Sequence, residues 1–151
     1  MLNILALFMA NKNLVAKEIK PYINTSFIRD LFKQLHHPDE RIREGIKTII
    51  HQFYVQFVGH RTFIRRNIRD QLLTFTYEDD SYRGTPHILQ VMGSIVRGYS
   101  TPLKNEHKVF LVKEWFFNSN ELKMPLKQAY KRCTLIFFQK VDLSFLNFFE
   151  N

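Results

Sequence analysis

Between Pro38 and Val58 the apolar residues Ile42, Ile46, Ile49, Ile50, Phe53 and Phe57 return mostly at spacings of three and four, the period of one face of an α-helix. The stretch predicts one long amphipathic helix. Its start is read at Pro38, as a first-turn residue whose missing N–H costs nothing, followed by Asp39 and Glu40 in the positive field of a helix N-terminus. The same opening precedes two further apolar stripes. Thr85-Pro86 leads into Ile88, Val91, Met92, Ile95 and Val96, and Met124-Pro125 leads into Ala129, Cys133, Ile136 and Phe137.

Helices of a second kind lie between these. Ser26-Phe27-Ile28-Arg29 returns as Thr62-Phe63-Ile64-Arg65 after 36 positions, and Lys108-Val109-Phe110-Leu111 gives a looser third copy. The expected order therefore alternates: an A helix (about Thr25 to Leu35, Arg61 to Phe75, Asn105 to Asn118) before each proline-started B helix. A unit of roughly 40 residues built from two helices is the period of HEAT-like solenoids. The predicted fold is all-α, a HEAT-like α-solenoid of stacked antiparallel helix pairs, with residues 1–151 forming one repeat domain. Loops are expected at Thr76 to Gly84 and at Asn118 to Lys123, both too short to be domain linkers.

Composition narrows the picture. Five Gly and five Pro in 151 residues leave little turn material for a sandwich or barrel, and 45% hydrophobic residues, with 15 Phe, are enough to build a core. Lys and Arg number 22 against 14 Asp and Glu, a formal charge of +8 that favours acidic partners. A lone Cys133 permits no internal disulfide, so an intracellular compartment is expected. Met1 to Ala10 is apolar but has no basic start and is too short for a bilayer span; it reads as a buried helix rather than a targeting segment.

Candidate chemistry is sparse. The chain has no glycine-rich phosphate loop, nucleophile elbow, two-histidine metalloprotease helix or EF-hand loop, so the familiar enzyme classes find no support. His36, His37, His51, His60, His87 and His107 have no diagnostic ligand spacing, and no metal or cofactor is expected. Arg61, Arg65, Arg66 and Arg69 are open to reading as a nucleic-acid face. The simpler reading makes Arg65 and Arg69, one turn apart, the solvated side of an amphipathic helix.

Stacking offers a more specific constellation. In a solenoid, neighbouring B helices share a groove. His51 and Tyr54 lie three apart on the first B helix, with Arg61 just beyond its end; Val91 and Ile95 lie at i and i+4 on the next, followed by Lys104 and His107. Apolar pockets rimmed by cations suit an extended peptide with a branched apolar anchor and a carboxylate or phosphate. Val91 and Ile95 equally fit a plain core.

These residues also carry a resemblance. From about Leu2 to Lys140 the chain resembles the B-prime (B56) family of regulatory subunits of protein phosphatase 2A, most specifically in Gly93-Ser94-Ile95-Val96-Arg97-Gly98-Tyr99 and Pro102-Leu103-Lys104-Asn105-Glu106-His107-Lys108. The resemblance implies a non-catalytic solenoid that joins the scaffold and catalytic subunits of the phosphatase and selects substrate or adaptor proteins. It also implies cytoplasm, with the nucleus as a second compartment, and no membrane or nucleic acid as partner. Family members bind Leu-x-x-Ile-x-Glu motifs between repeats. By resemblance His51 receives the motif glutamate, Tyr54, Arg61 and Lys104 hold the peptide backbone or an added phosphate, Val91 and Ile95 form the isoleucine pocket, and His107 stands at the rim. Gln52 departs from the pattern, since the family motif has arginine there; a neutral amide in its place implies motif binding weaker by roughly 1.5–3 kcal/mol. Val91 in place of isoleucine costs about 1 kcal/mol at most. The family's further repeats, which carry much of the surface for the catalytic subunit, go beyond the three helix pairs expected here. A degenerate solenoid serving as a general scaffold for acidic partners or nucleic acid is the alternative.

Apolar runs at both ends, Leu2 to Phe8 and Leu143 to Phe149, leave uncapped repeat faces. The chain is expected to self-associate through them; a sharp monomer in sedimentation at tens of micromolar would contradict this.

Overall fold

The computed structural model describes residues 20–77, 83–100 and 103–111. Among them there is no strand. Five α-helices follow in order: α1 (Thr25–Gln34), α2 (Glu40–Gln56), α3 (Arg61–Tyr77), α4 (Thr85–Arg97) and α5 (Asn105–Leu111), with a 3-10 turn at Val58–His60 before α3. The expected helices at Met1 to Ala10 and after Met124, and the loop at Asn118 to Lys123, lie outside the described residues. The Thr76 to Gly84 loop falls there in part, and its first two residues belong to α3.

Each start has a local cause. Asn24 caps α1 through its side chain, which accepts from the Phe27 N–H at 2.8 Å. Asp39 caps α2, accepting from the Arg41 N–H at 2.9 Å. Pro38 therefore stands ahead of the cap and not in the first turn as expected: a carboxylate able to satisfy an orphan N–H takes the cap position, and Pro38 shapes the loop before it. His37 Nδ1 accepts from the Asp39 N–H at 3.0 Å, and Arg43 Nη1 donates to the carbonyls of His37 and Pro38 at 2.7 and 2.8 Å. In α4 the expectation holds, with Pro86 in the first turn.

The helices form two layers of an α-solenoid. α1 packs on α2 and α3 on α4, while α2 lies along α4 and α1 along α3. The two B helices run parallel and in fixed register. Lys47 Nζ donates to Gln90 Oε1 at 2.7 Å, 43 positions on, and His87 Nε2 lies 3.3 Å from Glu44 Oε1 at the same offset. The A layer is tied by His36 Nε2 and Gln71 Oε1 at 3.0 Å.

The predicted stripes are the core. Ile46, Ile49, Ile50, Phe53 and Phe57 are buried on α2 and its C-cap, with Ile42 partly buried against them. On α4 all five predicted residues are buried, together with Thr85, His87, Leu89 and Gly93. Only Pro86, Gln90, Ser94 and Arg97 of α4 are exposed, a single narrow stripe, because neighbours cover this helix on its other sides. Fully buried Phe32 and Phe53 each contribute roughly 1.5–3 kcal/mol.

Gly84, the residue before α4, approaches the first helix pair closely: a Cβ there would sit 2.7 Å from the Leu35 carbonyl oxygen at the end of α1. Gly45, inside α2, faces no atom within 4 Å. In urea unfolding, Gly84→Ala is expected to destabilise the chain by roughly 1–3 kcal/mol, whereas Gly45→Ala is expected to stabilise it by about 0.5–1 kcal/mol through helix propensity. Equal effects at the two sites would contradict the packing described.

Candidate functional site

Where α2 ends beside α4 and the start of α5, the helices leave an open cleft of about 340 Å³. It is lined by His51, Tyr54 and Val55 from α2, Arg61 from α3, Ser94, Ile95, Gly98, Tyr99 and Ser100 from α4 and its end, and Lys104 and His107 beside and in α5. Six of the eight residues singled out from the sequence therefore meet in one place: His51, Tyr54, Arg61, Ile95, Lys104 and His107.

The remaining two do not line the cleft. Val91 belongs to the core, and at 2% exposed it is no more buried than Ile95, so both fit the plain core alternative. One helical turn further on, Ile95 is a core residue that also borders the cleft. Gln52 is half-buried, and its Oε1 is enclosed without a hydrogen-bond partner among the described residues.

Arg61 does two things at once. Its Nε donates to the Tyr54 carbonyl at 2.8 Å and its Nη2 to the Val55 carbonyl at 3.0 Å, satisfying acceptors that the last turn of α2 leaves open. Its guanidinium also lies 5.3 Å over the Tyr54 ring. A cation is thus fixed at the negative end of a helix dipole and still borders the cleft.

The opposite wall is aromatic. Tyr99 and His107 stack with ring centroids 3.9 Å apart and 4° between planes. Burial pushes the Tyr99 phenol up, keeping it neutral, and burial pulls both His51 and His107 below the ordinary histidine value. At neutral pH the positive charge of the lining is carried by Arg61 and Lys104, whose side chain belongs to an exposed residue.

Arg65 overturns an expectation. It is not on the solvated side of its helix: at 7% exposed it is buried, donating from Nη1 to the Tyr54 hydroxyl at 3.1 Å and from Nη2 to Glu106 Oε2 at 3.0 Å. The arginines of α3 accordingly point to different tasks, since Arg61 closes α2, Arg65 is internal and Arg69 pairs with Asp70. They do not make one basic face. Neither Arg65 nor Tyr99 was singled out from the sequence as a site residue, because both depend on contacts between helices distant in the chain.

Among the described residues no group of three or more His, Cys, Asp and Glu is placed to hold a metal, and no helix is long and apolar enough to cross a membrane.

Paired helices in register, with a cation-rimmed cleft between successive pairs, define a helical-repeat protein with a groove between its repeats. Comparison with known proteins narrows the class. The family model described as protein phosphatase 2A regulatory B subunit (B56 family) matches residues 1–117. A serine/threonine-protein phosphatase 2A regulatory subunit of Caenorhabditis elegans is 42% identical over 106 residues, covering 70% of this chain and 20% of the relative. The 59 kDa B' gamma isoform of Arabidopsis thaliana is 34% identical over 143 residues, 95% of this chain and 26% of the relative. The 56 kDa alpha isoform of Homo sapiens is 40% identical over 94 residues, 62% and 19%. The chain belongs to the B56 family. It spans about a quarter or less of these relatives, all of which are named regulatory subunits.

The depressed histidines set a pH dependence. A histidine held below its ordinary value of 6.5 by burial takes up protons more readily once unfolded, so its contribution to stability is present above that value and is lost as pH falls through the folded pKa. His87, also pulled down chiefly by burial, acts in the same direction. Urea midpoints are expected to fall as the pH is lowered from 7.5 to 5.5; a midpoint that rises over this window would refute the assignment.

Proposed function

We propose that this chain is a substrate-recruiting part of a protein phosphatase 2A regulatory subunit, with no catalytic activity of its own. In this reading the cleft between α2, α4 and α5 binds short acidic motifs of the Leu-x-x-Ile-x-Glu type, and the rest of the solenoid meets the scaffold and catalytic subunits. One observation carries it: residues spread from His51 to His107 in sequence converge on a single cleft that pairs an apolar wall, Val55 and Ile95, with the cations Arg61 and Lys104. An extended peptide needs that combination, an apolar anchor site and a carboxylate or phosphate site within a few residues' reach. His51 is the group that would receive the motif glutamate, and Tyr54, Arg61 and Lys104 would hold the backbone or an added phosphate.

Gln52 supports a second reading, a solenoid that has kept the architecture and binds acidic partners without motif selectivity. Its amide stands where the family motif has arginine, and the enclosed Oε1 has no partner among the described residues.

The two separate in a fluorescence-anisotropy titration of a Leu-x-x-Ile-x-Glu peptide. Gln52 does not line the cleft itself, but the longer, charged side chain of Gln52→Arg is expected to reach the peptide and tighten binding by roughly ten- to a hundredfold through a charge-assisted contact. Arg61→Ala is expected to abolish it, but that change also uncaps α2, so Lys104→Ala is the cleaner control and is expected to weaken binding with the fold unchanged by circular dichroism. A folded chain that ignores the peptide, or binds it as tightly as a scrambled peptide of equal charge, would rule out motif recruitment and leave the scaffold reading.

A further inference from the structure

Arg65 and Glu106 are absent from the cleft lining, yet both hold residues that form it. Arg65 projects from α3 into the interior, where it reaches Tyr54 on α2 and Glu106 on α5, with Thr62 Oγ1 at 3.3 Å and its guanidinium 5.9 Å over the Phe110 ring. A buried cation is costly unless its hydrogen bonds are met, and here a planar fork meets partners on two other helices at once. Lysine, with one nitrogen, does not present the same fork.

The far end of this connection is a short helix with few buried side chains. Among the described side chains of α5 only Phe110 is buried. Glu106, 56% exposed at its side chain, sits between Lys104 and His107 in sequence, and its second carboxylate oxygen lies 3.7 Å from His107 Nε2. Beside the Tyr99–His107 stack and the apolar contacts of Leu103 and Phe110, one carboxylate ties the wall that carries Lys104 and His107 back to α3, and the same guanidinium fixes the hydroxyl of Tyr54 on the opposite wall.

We propose that Arg65 and Glu106 act as a positioning pair, holding α5 and Tyr54 at the separation at which the cleft binds an acidic peptide. The inference rests on the peptide-binding reading of the cleft for its consequence, though not for its mechanics. Simple electrostatics makes the opposite forecast: Glu106 is an anion beside the cationic rim, so neutralising it should tighten an acidic ligand. Positioning requires that neutralising it weakens the ligand.

The test uses the full chain, Glu106→Gln and Arg65→Lys, with two readouts: anisotropy of the labelled Leu-x-x-Ile-x-Glu peptide, and amide hydrogen exchange without peptide. Glu106→Gln is expected to bind about two- to fivefold more weakly, the range of a half-exposed ion pair. Arg65→Lys is expected to bind roughly tenfold more weakly, as it loses the Tyr54 bond as well. The double variant is expected to match Arg65→Lys, because the pair acts as one unit. Exchange is expected to quicken at residues 105–111 in each variant while α1 amides keep their rates. Binding by Glu106→Gln that is unchanged or tighter overturns the proposal, as does unaltered exchange across residues 105–111. If the unmodified chain binds no peptide, recruitment fails, and the exchange rates still decide whether the pair fixes α5. Should Arg65→Lys fail to fold, Glu106→Gln, changed at an exposed carboxylate, decides by itself.

Discussion

The parallel packing of α2 along α4 is the constraint on which the other features depend. Apolar faces of the two helices enter one core, and because the Lys47–Gln90 and Glu44–His87 contacts share an offset of 43, the helices cannot slide past each other without breaking polar contacts as well as repacking that core. Fixing the register sets Val55 and His51 opposite Gly98 and Ser94 at the far end of the same seam, where the cleft opens. The shape of the cleft is thus a consequence of how two repeats stack. It is not a property of a loop.

Within that frame, charge is used sparingly. Arg61 is held by α2 carbonyls and Arg65 by Tyr54 and Glu106, so neither guanidinium has to be ordered by a ligand. Ordering a long cationic side chain on binding costs roughly 0.5–1.5 kcal/mol, and preorganisation removes much of it. Lys104 carries an exposed charge, and the two depressed histidines add little at neutral pH. The cleft combines a fixed cation, an exposed one and a stacked aromatic wall.

The helices and their buried faces were legible along the chain, because the three-to-four spacing of Ile46, Ile49, Ile50 and Phe53, or of Ile88, Val91, Met92, Ile95 and Val96, is imposed by helix geometry itself. Helix starts were legible to within two residues. Pro38 was read two positions too far inside, since a proline and the aspartate after it both mark an N-terminus and only the hydrogen bond to the Arg41 N–H settles which one caps. Six cleft residues were also within reach of sequence reasoning, four by lying on or beside the two B helices and two by following the second.

Sequence alone determined an all-α repeat, its pairing order, its family and the neighbourhood of the groove, since each depends on local periodicity or on residues that stay close along the chain. Tertiary structure decided what periodicity cannot carry. Val91 and Ile95 occupy the same helical stripe and are equally buried, yet only Ile95 also borders the cleft. Arg65 and Arg69 are one turn apart, yet one is buried against Tyr54 and Glu106 while the other pairs with Asp70 near the surface. Which neighbour each residue meets is decided in this way because a helix face is divided among several neighbours, and the angle at which each arrives is set by the packing of whole helices rather than by any residue on the face.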